Sequence, residues 1–101
     1  KDKYFLLKVY KKNNKYLLVK NRNFNFLKNF NIFPMQELTR PKNFNQNLNF
    51  KMSNMNMNIK IKNDKMIKPI PFSYWIDPKK LKNYTLPTFT KKIVTYLENH
   101  K

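Results

Sequence analysis

Few residues in this chain could carry acid–base or nucleophilic chemistry. The five acids, Asp2, Glu37, Asp64, Asp77 and Glu98, are scattered, and no two are spaced as a general acid/base pair. Each has a structural use: Asp77 as a helix cap, Asp64 as a turn residue, Asp2 and Glu98 near the chain ends. His100 is the single His and sits beside the terminus, which excludes a Ser–His or Cys–His system. No Cys is present, so a disulfide, an iron–sulfur cluster or a Cys zinc site cannot be built from this chain, and metal-ligand spacing is absent. Without Gly there is no Gly-rich phosphate loop. The residues therefore point to no catalytic site and no metal site.

Recognition chemistry is better supplied. Lys and Arg number 22 against those five acids, a formal charge of +17, which attracts phosphate backbones through counterion release. The same charge has a second source, because a chain without Gly or Ala and rich in Lys, Asn, Phe and Ile carries the bias of an A·T-rich genome. Basic and aromatic residues interleave in Arg22-Asn23-Phe24-Asn25-Phe26-Leu27-Lys28. Lys79, Lys80, Lys82, Lys91 and Lys92 gather around two expected helix starts, where backbone N–H groups and ammonium groups can grip phosphate.

The elements that must position these residues read as one small, mostly β domain, since 101 residues with 41% hydrophobic content support a single modest core. Residues 4–10 and 15–20 read as two strands of a hairpin, with Asn13-Asn14 supplying the positive φ that Gly would normally give. Residues 21–27 sustain neither period. Pro34, in Ile32-Phe33-Pro34-Met35, marks a strand end or edge, and residues 37–48 read as loop around Pro41. From Ser53 the chain alternates: Met55, Met57, Ile59 and Ile61 share its face, and Asn54, Asn56, Asn58, Lys60 and Lys62 take the other. Phe50 and Met52 are out of phase with that strand, which predicts a loop or bulge before it, with Met52 turned toward solvent or a partner. Asn63-Asp64 reads as a turn and Lys65-Met66-Ile67 as the start of the return strand. Tyr74, Trp75 and Ile76 are strand formers; Asp77-Pro78 starts a helix, and Leu86-Pro87 breaks the chain. Thr88 is expected to cap a final helix whose apolar stripe is Phe89, Ile93, Tyr96 and Leu97. No apolar run approaches membrane-spanning length.

In this order the blocks resemble the C-terminal, Nudix-like domain of adenine DNA glycosylases, the MutY family, which removes adenine mispaired with 8-oxoguanine. The likeness runs over nearly the whole chain. It rests on the opening strands up to Arg22, on Phe33-Pro34, and above all on Trp75-Ile76-Asp77-Pro78, Tyr84-Thr85-Leu86-Pro87 and Lys92-Ile93. The resemblance implies an α+β fold: a small Nudix-like mixed sheet with a C-terminal helix, the Nudix helix reduced or missing because residues 35–50 hold one Glu and no room for it. It also implies that residues 1–101 form one domain at the C-terminal end of a longer glycosylase, whose catalytic helical domain and cluster-binding Cys residues would precede Lys1.

Met52-Ser53-Asn54 stands where the family has the Phe-Ser-His loop that inspects the oxidised guanine. 8-Oxoguanine turns the N7 acceptor into a donor and adds an oxygen at C8. A Ser hydroxyl accepting from N7–H, beside a backbone N–H donating to that oxygen, would be left unpaired against guanine. Met52 would be an apolar wedge softer than Phe, and Asn54 replaces a His able to carry charge near phosphate. Arg22, Lys51, Lys79, Lys80, Lys82, Lys91 and Lys92 are the expected backbone contacts. The implied partners are double-stranded DNA containing 8-oxoguanine and the catalytic domain of the same polypeptide, into which adenine would be flipped. No membrane partner, a monomeric state and no cofactor in this chain are expected, as is a cytoplasmic or nucleoid location in a bacterium with an A·T-rich genome. The rival reading is a basic RNA-binding structural protein of the organellar ribosomal type, and a third is a remnant that folds without reading the lesion.

Overall fold

In the computed structural model, which describes residues 1–66 and 68–101, the chain forms two four-stranded sheets and one C-terminal α-helix. β1 (Asp2–Val9) lies inside the first sheet, antiparallel to β5 (Met35–Leu38) on one side and parallel to β7 (Met55–Asn63) on the other. β6 (Leu48–Met52) closes that sheet beyond β7. In the second sheet β3 (Lys15–Lys20) is central. β2 (Lys11–Lys12) and β4 (Asn31–Ile32) pair with its two ends along one edge, and β8 (Ser73–Ile76) takes the other. A six-residue 3-10 helix, Pro78–Asn83, and α1 (Thr88–Asn99) follow. This is the expected small mixed-sheet domain with a C-terminal helix, and no helix lies between β5 and β6.

The core sits between the two sheets and under α1. Phe5, Leu7 and Val9 alternate inward from β1, meeting Met57 and Ile59 of β7; Tyr16, Leu18 and Ile76 come from the second sheet, and Phe89, Ile93 and Val94 from the helix. Burying side chains of this size contributes roughly 1.5–3 kcal/mol each, before the entropy of ordering the chain is subtracted. Thr90 is fully buried because its hydroxyl donates to the Asn31 carbonyl at 2.7 Å, fixing the first turn of the helix to β4.

Three sequence expectations change. The hairpin of residues 4–10 with 15–20 exists only at its tip, where Lys11 faces Tyr16 and Lys12 faces Lys15. Both edges of β1 are already occupied, so β3 must pair elsewhere. The phase break before Ser53, expected as a loop or a bulge, is the loop: a tight two-residue turn. β6 and β7 pair with Met52 opposite Met55 and Phe50 opposite Met57, so all four share one face although their spacing changes parity at the turn. Within the expected loop at 37–48, Glu37 and Leu38 finish β5 and Leu48 begins β6. Lys65 and Met66 lie outside any strand, and Ile67 of that expected return is outside the described residues.

At the C-terminal end Asp77 caps as expected, its Oδ1 accepting from Lys79 N at 3.0 Å with Pro78 in the first helical turn. The expected cap at Thr88 moves one residue. Pro87 holds the cap position and Thr88 is already helical, with no side-chain cap bond. Tyr84 Oη accepts from Asp77 N at 3.1 Å, and Leu86 enters the core, so this block closes the fold behind the strand.

Candidate nucleic-acid interface

A chain without Gly must build its tight turns from residues that dislike positive φ. Ser53 and Asn54 form the two-residue connection between β6 and β7, and Ser53 has φ 55°. That is the first central position of the turn, one that two-residue hairpins commonly give to Gly. A non-Gly residue held there stores roughly 1–2 kcal/mol. Ser53 and Asn54 are exposed at the tip.

The turn is held from three sides. On the inner face Phe50 packs edge-on against Phe89 of α1, ring centroids 4.9 Å apart, and Met52 and Met55 rest half-buried on the core. Met52, expected to face solvent or a partner, is thus drawn inward by the face it shares with Phe50. On the outer face asparagines form a ladder. Asn49 Nδ2 donates to Asn56 Oδ1 at 2.8 Å and to Asn58 Oδ1 at 3.2 Å, Asn58 Nδ2 donates to the Lys3 carbonyl at 3.2 Å, and Asn56 Nδ2 donates to Asp2 Oδ1 at 2.6 Å. The Asn56 hydrogen bond is the main reason the Asp2 carboxyl titrates below the usual carboxylate range. The third hold is the start of the chain: Asn56 N donates to the Lys1 carbonyl at 2.8 Å.

Beside the turn a hollow of about 450 Å³ is floored by Phe26, Met52 and Met55 and rimmed by Lys1, Lys3, Asn25 and Asn54. Phe26 reaches it because Asn21, buried at 2% exposure, organises the loop that looked patternless in sequence. Asn21 Nδ2 donates to the carbonyls of Phe26 at 2.5 Å and Leu27 at 3.0 Å, and its Oδ1 accepts from Phe24 N at 3.0 Å. Phe24 and Phe26 then stack, centroids 5.1 Å apart at 19°, both against Phe5. Such a hub needs every polar atom paired, since a half-satisfied buried amide destabilises by kilocalories.

Arg22, from the same loop, does not point at the turn. Its guanidinium lies over the Phe72 ring at 4.7 Å, beside a hollow of about 460 Å³ that Lys20 and Asn23 also line. Phe72 is 64% exposed and has φ 57°, its carbonyl held by Lys20 N at 3.0 Å. Phe72, expected from sequence as the start of the last strand, precedes β8 and is not among the expected site residues. Its signal was an aromatic residue following two closely spaced prolines, Pro69 and Pro71.

The expected backbone contacts divide. Lys51, opposite Asn56, is exposed next to the turn. Lys91 and Lys92 are exposed near the start of α1, whose Phe89 meets Phe50 two residues before Met52. Lys79 is elsewhere: it shares a hollow with Asn13, Asn14, Glu98 and Lys101 at the other end of the helix. Nine residue steps of helix, roughly 13 Å, separate Glu98 from Phe89. Lys80 and Lys82 are exposed on the same 3-10 segment as Lys79. Lys3, Asn25 and Phe26, which the sequence did not single out as a group, join the turn instead. Among the described residues no three of Asp, Glu and His gather as metal ligands.

Two four-stranded sheets packed with one C-terminal helix make an open mixed-sheet domain, with a two-residue turn raised beside a hollow that Lys1 and Lys3 help to line. One solved neighbour is the C-terminal domain of mouse MUTYH, crystallised in complex with human PCNA. It superposes with a TM-score of 0.66 at 15% identity, over 99% of this chain and 90% of that one. That likeness is one of fold. No protein-family profile and no curated protein sequence matches the chain.

Proposed function

We propose that this domain is a DNA-repair module that recognises the lesion for an A/G-specific adenine DNA glycosylase, binding duplex DNA and reading 8-oxoguanine opposite adenine. The observation that carries the reading is the turn at residues 52–55. It is the point where a glycine-free chain holds a serine at positive φ, exposed, beside a hollow with an aromatic floor and a lysine rim. The shared fold with the mouse MUTYH domain supports it, as does a charge of +17. In this reading Ser53 Oγ accepts from N7–H of the oxidised purine, Met52 backs the turn, and Asn54 edges the hollow. Lys51, Lys91 and Lys92 hold phosphates near the turn; Arg22 and the lysines at 79, 80 and 82 contact the backbone farther out. Bond breaking belongs to a separate catalytic domain of the same polypeptide, which would carry any iron–sulfur cluster and receive the flipped adenine. A protein partner in DNA repair, as the mouse domain has in PCNA, fits the same role.

The test is titration of the purified domain against matched duplexes that differ only in 8-oxoguanine or guanine opposite adenine, across salt. Tighter binding to the lesion duplex at every salt concentration supports the reading. Equal affinities, both falling steeply with salt, would reduce the domain to a nonspecific polycation.

A further inference from the structure

The end of the molecule away from the 52–55 turn carries a second basic surface, built around the chain's single Trp. β1 runs the seven residue steps from Asp2, beside that turn, to Val9, roughly 23 Å, and then leads into the β2–β3 hairpin. Trp75 lies on β8 opposite Leu17, and the pair faces away from the main core: Leu17 is only 2% exposed yet stands outside the core cluster. Two hollows open beside the indole. One, of about 200 Å³, is shared with Lys12, Asn13 and Lys15; the other, of about 260 Å³, with Tyr10, Lys11, Asp64 and Lys65 among its walls.

The lysines here are placed against one another. The hairpin register sets Lys12 directly opposite Lys15, and like charges facing across a strand pair repel. Asn13 and Asn14, at φ 51° and 62°, fix a two-residue turn, so the pair cannot slip apart by changing register. The carboxylates of Asp64 and Glu98 stand at this end. Asp64 Oδ1 accepts from Lys65 N at 2.8 Å, and Glu98 accepts from Tyr16 Oη and pairs with Lys101 at 3.0 Å. Neither Lys12 nor Lys15 pairs with a carboxylate among the described residues.

We infer that this end binds single-stranded nucleic acid, one unpaired base stacking on Trp75 while Lys12 and Lys15 hold the phosphates on either side. A repelling lysine pair is relieved when each ammonium takes a phosphate, and an indole beside it favours a polyanion that carries flat rings. The half-buried indole lies between hollows with room for a single base, and a paired base would not offer its face. The site is separate from the 52–55 turn and does not depend on the function proposed for it.

The sole Trp makes the test direct. Indole fluorescence of the 101-residue chain is followed on titration with a short oligothymidylate, the same sequence as a duplex, and heparin, a polyanion without bases. The expected result is quenching by the single strand, with little quenching by duplex or heparin. In the Lys12→Gln/Lys15→Gln variant, whose changes lie at exposed strand ends flanking the turn, the single-strand affinity should fall at least about tenfold and the salt slope by about 1.4. Ser53→Ala should leave the quenching curve unchanged. Equal quenching by heparin or duplex, or an unchanged curve in the double lysine variant, would overturn the inference.

Discussion

The two tight hairpin turns of this chain solve one problem in different ways. Between β2 and β3 the positive-φ positions are Asn13 and Asn14, residues whose short amide side chains tolerate the left-handed region. Between β6 and β7 the positive-φ position is Ser53, which gains no such tolerance, although Asn54 stands immediately after it. A sequence with this much Asn could have put one there. The first turn is built to hold register; the second keeps a hydroxyl at a raised tip in spite of the strain. Leu27, Arg40 and Phe72 also hold positive φ, and Ser53 differs from them in standing at the tip of a hairpin between two paired strands.

That contrast can be broken or sharpened by substitution, and the largest effect should come from what supports the second turn. Asn21→Leu leaves the carbonyls of Phe26 and Leu27 and the N–H of Phe24 without their partner, and should destabilise the domain by about 2–4 kcal/mol, read from urea denaturation. It should also withdraw Phe26 from the hollow. Next in size, Phe50→Ala removes the ring that joins β6 to Phe89 and should cost about 3 kcal/mol. A change of only a few tenths in either variant would show that the turn stands without this support.

Smaller effects separate the turns themselves. Ser53→Gly should raise stability by about 1 kcal/mol by relieving the left-handed strain, while weakening discrimination of the lesion. Asn14→Gly should change stability by only a few tenths and leave DNA binding as it was. If both glycine variants behave alike, the difference between the turns carries no meaning. The smallest effect concerns pH. The hydrogen bond from Tyr16 Oη holds the Glu98 carboxyl below its ordinary range, and burial, then Glu98, pushes the Tyr16 phenol up. Stability from Glu98 is therefore present above the usual glutamate range and lost as pH falls through its lowered value. Stability from the tyrosine is present below the usual phenol range and lost as pH rises beyond it. Glu98→Gln should flatten the acid limb of a stability–pH profile slightly; an unchanged limb would show that this contact at the helix end contributes nothing.

Much of the fold could be read from the residues. Alternation from Met55 to Ile61, the Asp77-Pro78 cap and the stripe of Phe89, Ile93, Tyr96 and Leu97 are local signals, and each has its expected element, although Tyr96 stacks on His100 and stays out of the core. Which strands pair was not local. Nothing in residues 4–20 says that β5 and β7 will fill both edges of β1 and leave β3 to the second sheet. The phase change at Met52 was visible, but its cause was a reversal of direction, which alternation alone cannot distinguish from a bulge. At the candidate site Ser53 was legible through resemblance, and its exposure and strain only through structure. The loop at 21–27 hid its order because one buried amide organises it, and a single Asn among many carries no pattern. Lys79 stood with Lys91 in sequence and lies at the other end of the helix in space.

The central claim, that Ser53 meets an oxidised purine edge, is tested most directly by one ratio: affinity for the 8-oxoguanine duplex over affinity for the guanine duplex, in Ser53→Ala beside the parent protein. Loss of the hydroxyl should bring that ratio close to one while binding to the undamaged duplex holds steady. A ratio equal to the parent's would contradict the account, however tightly both duplexes bind.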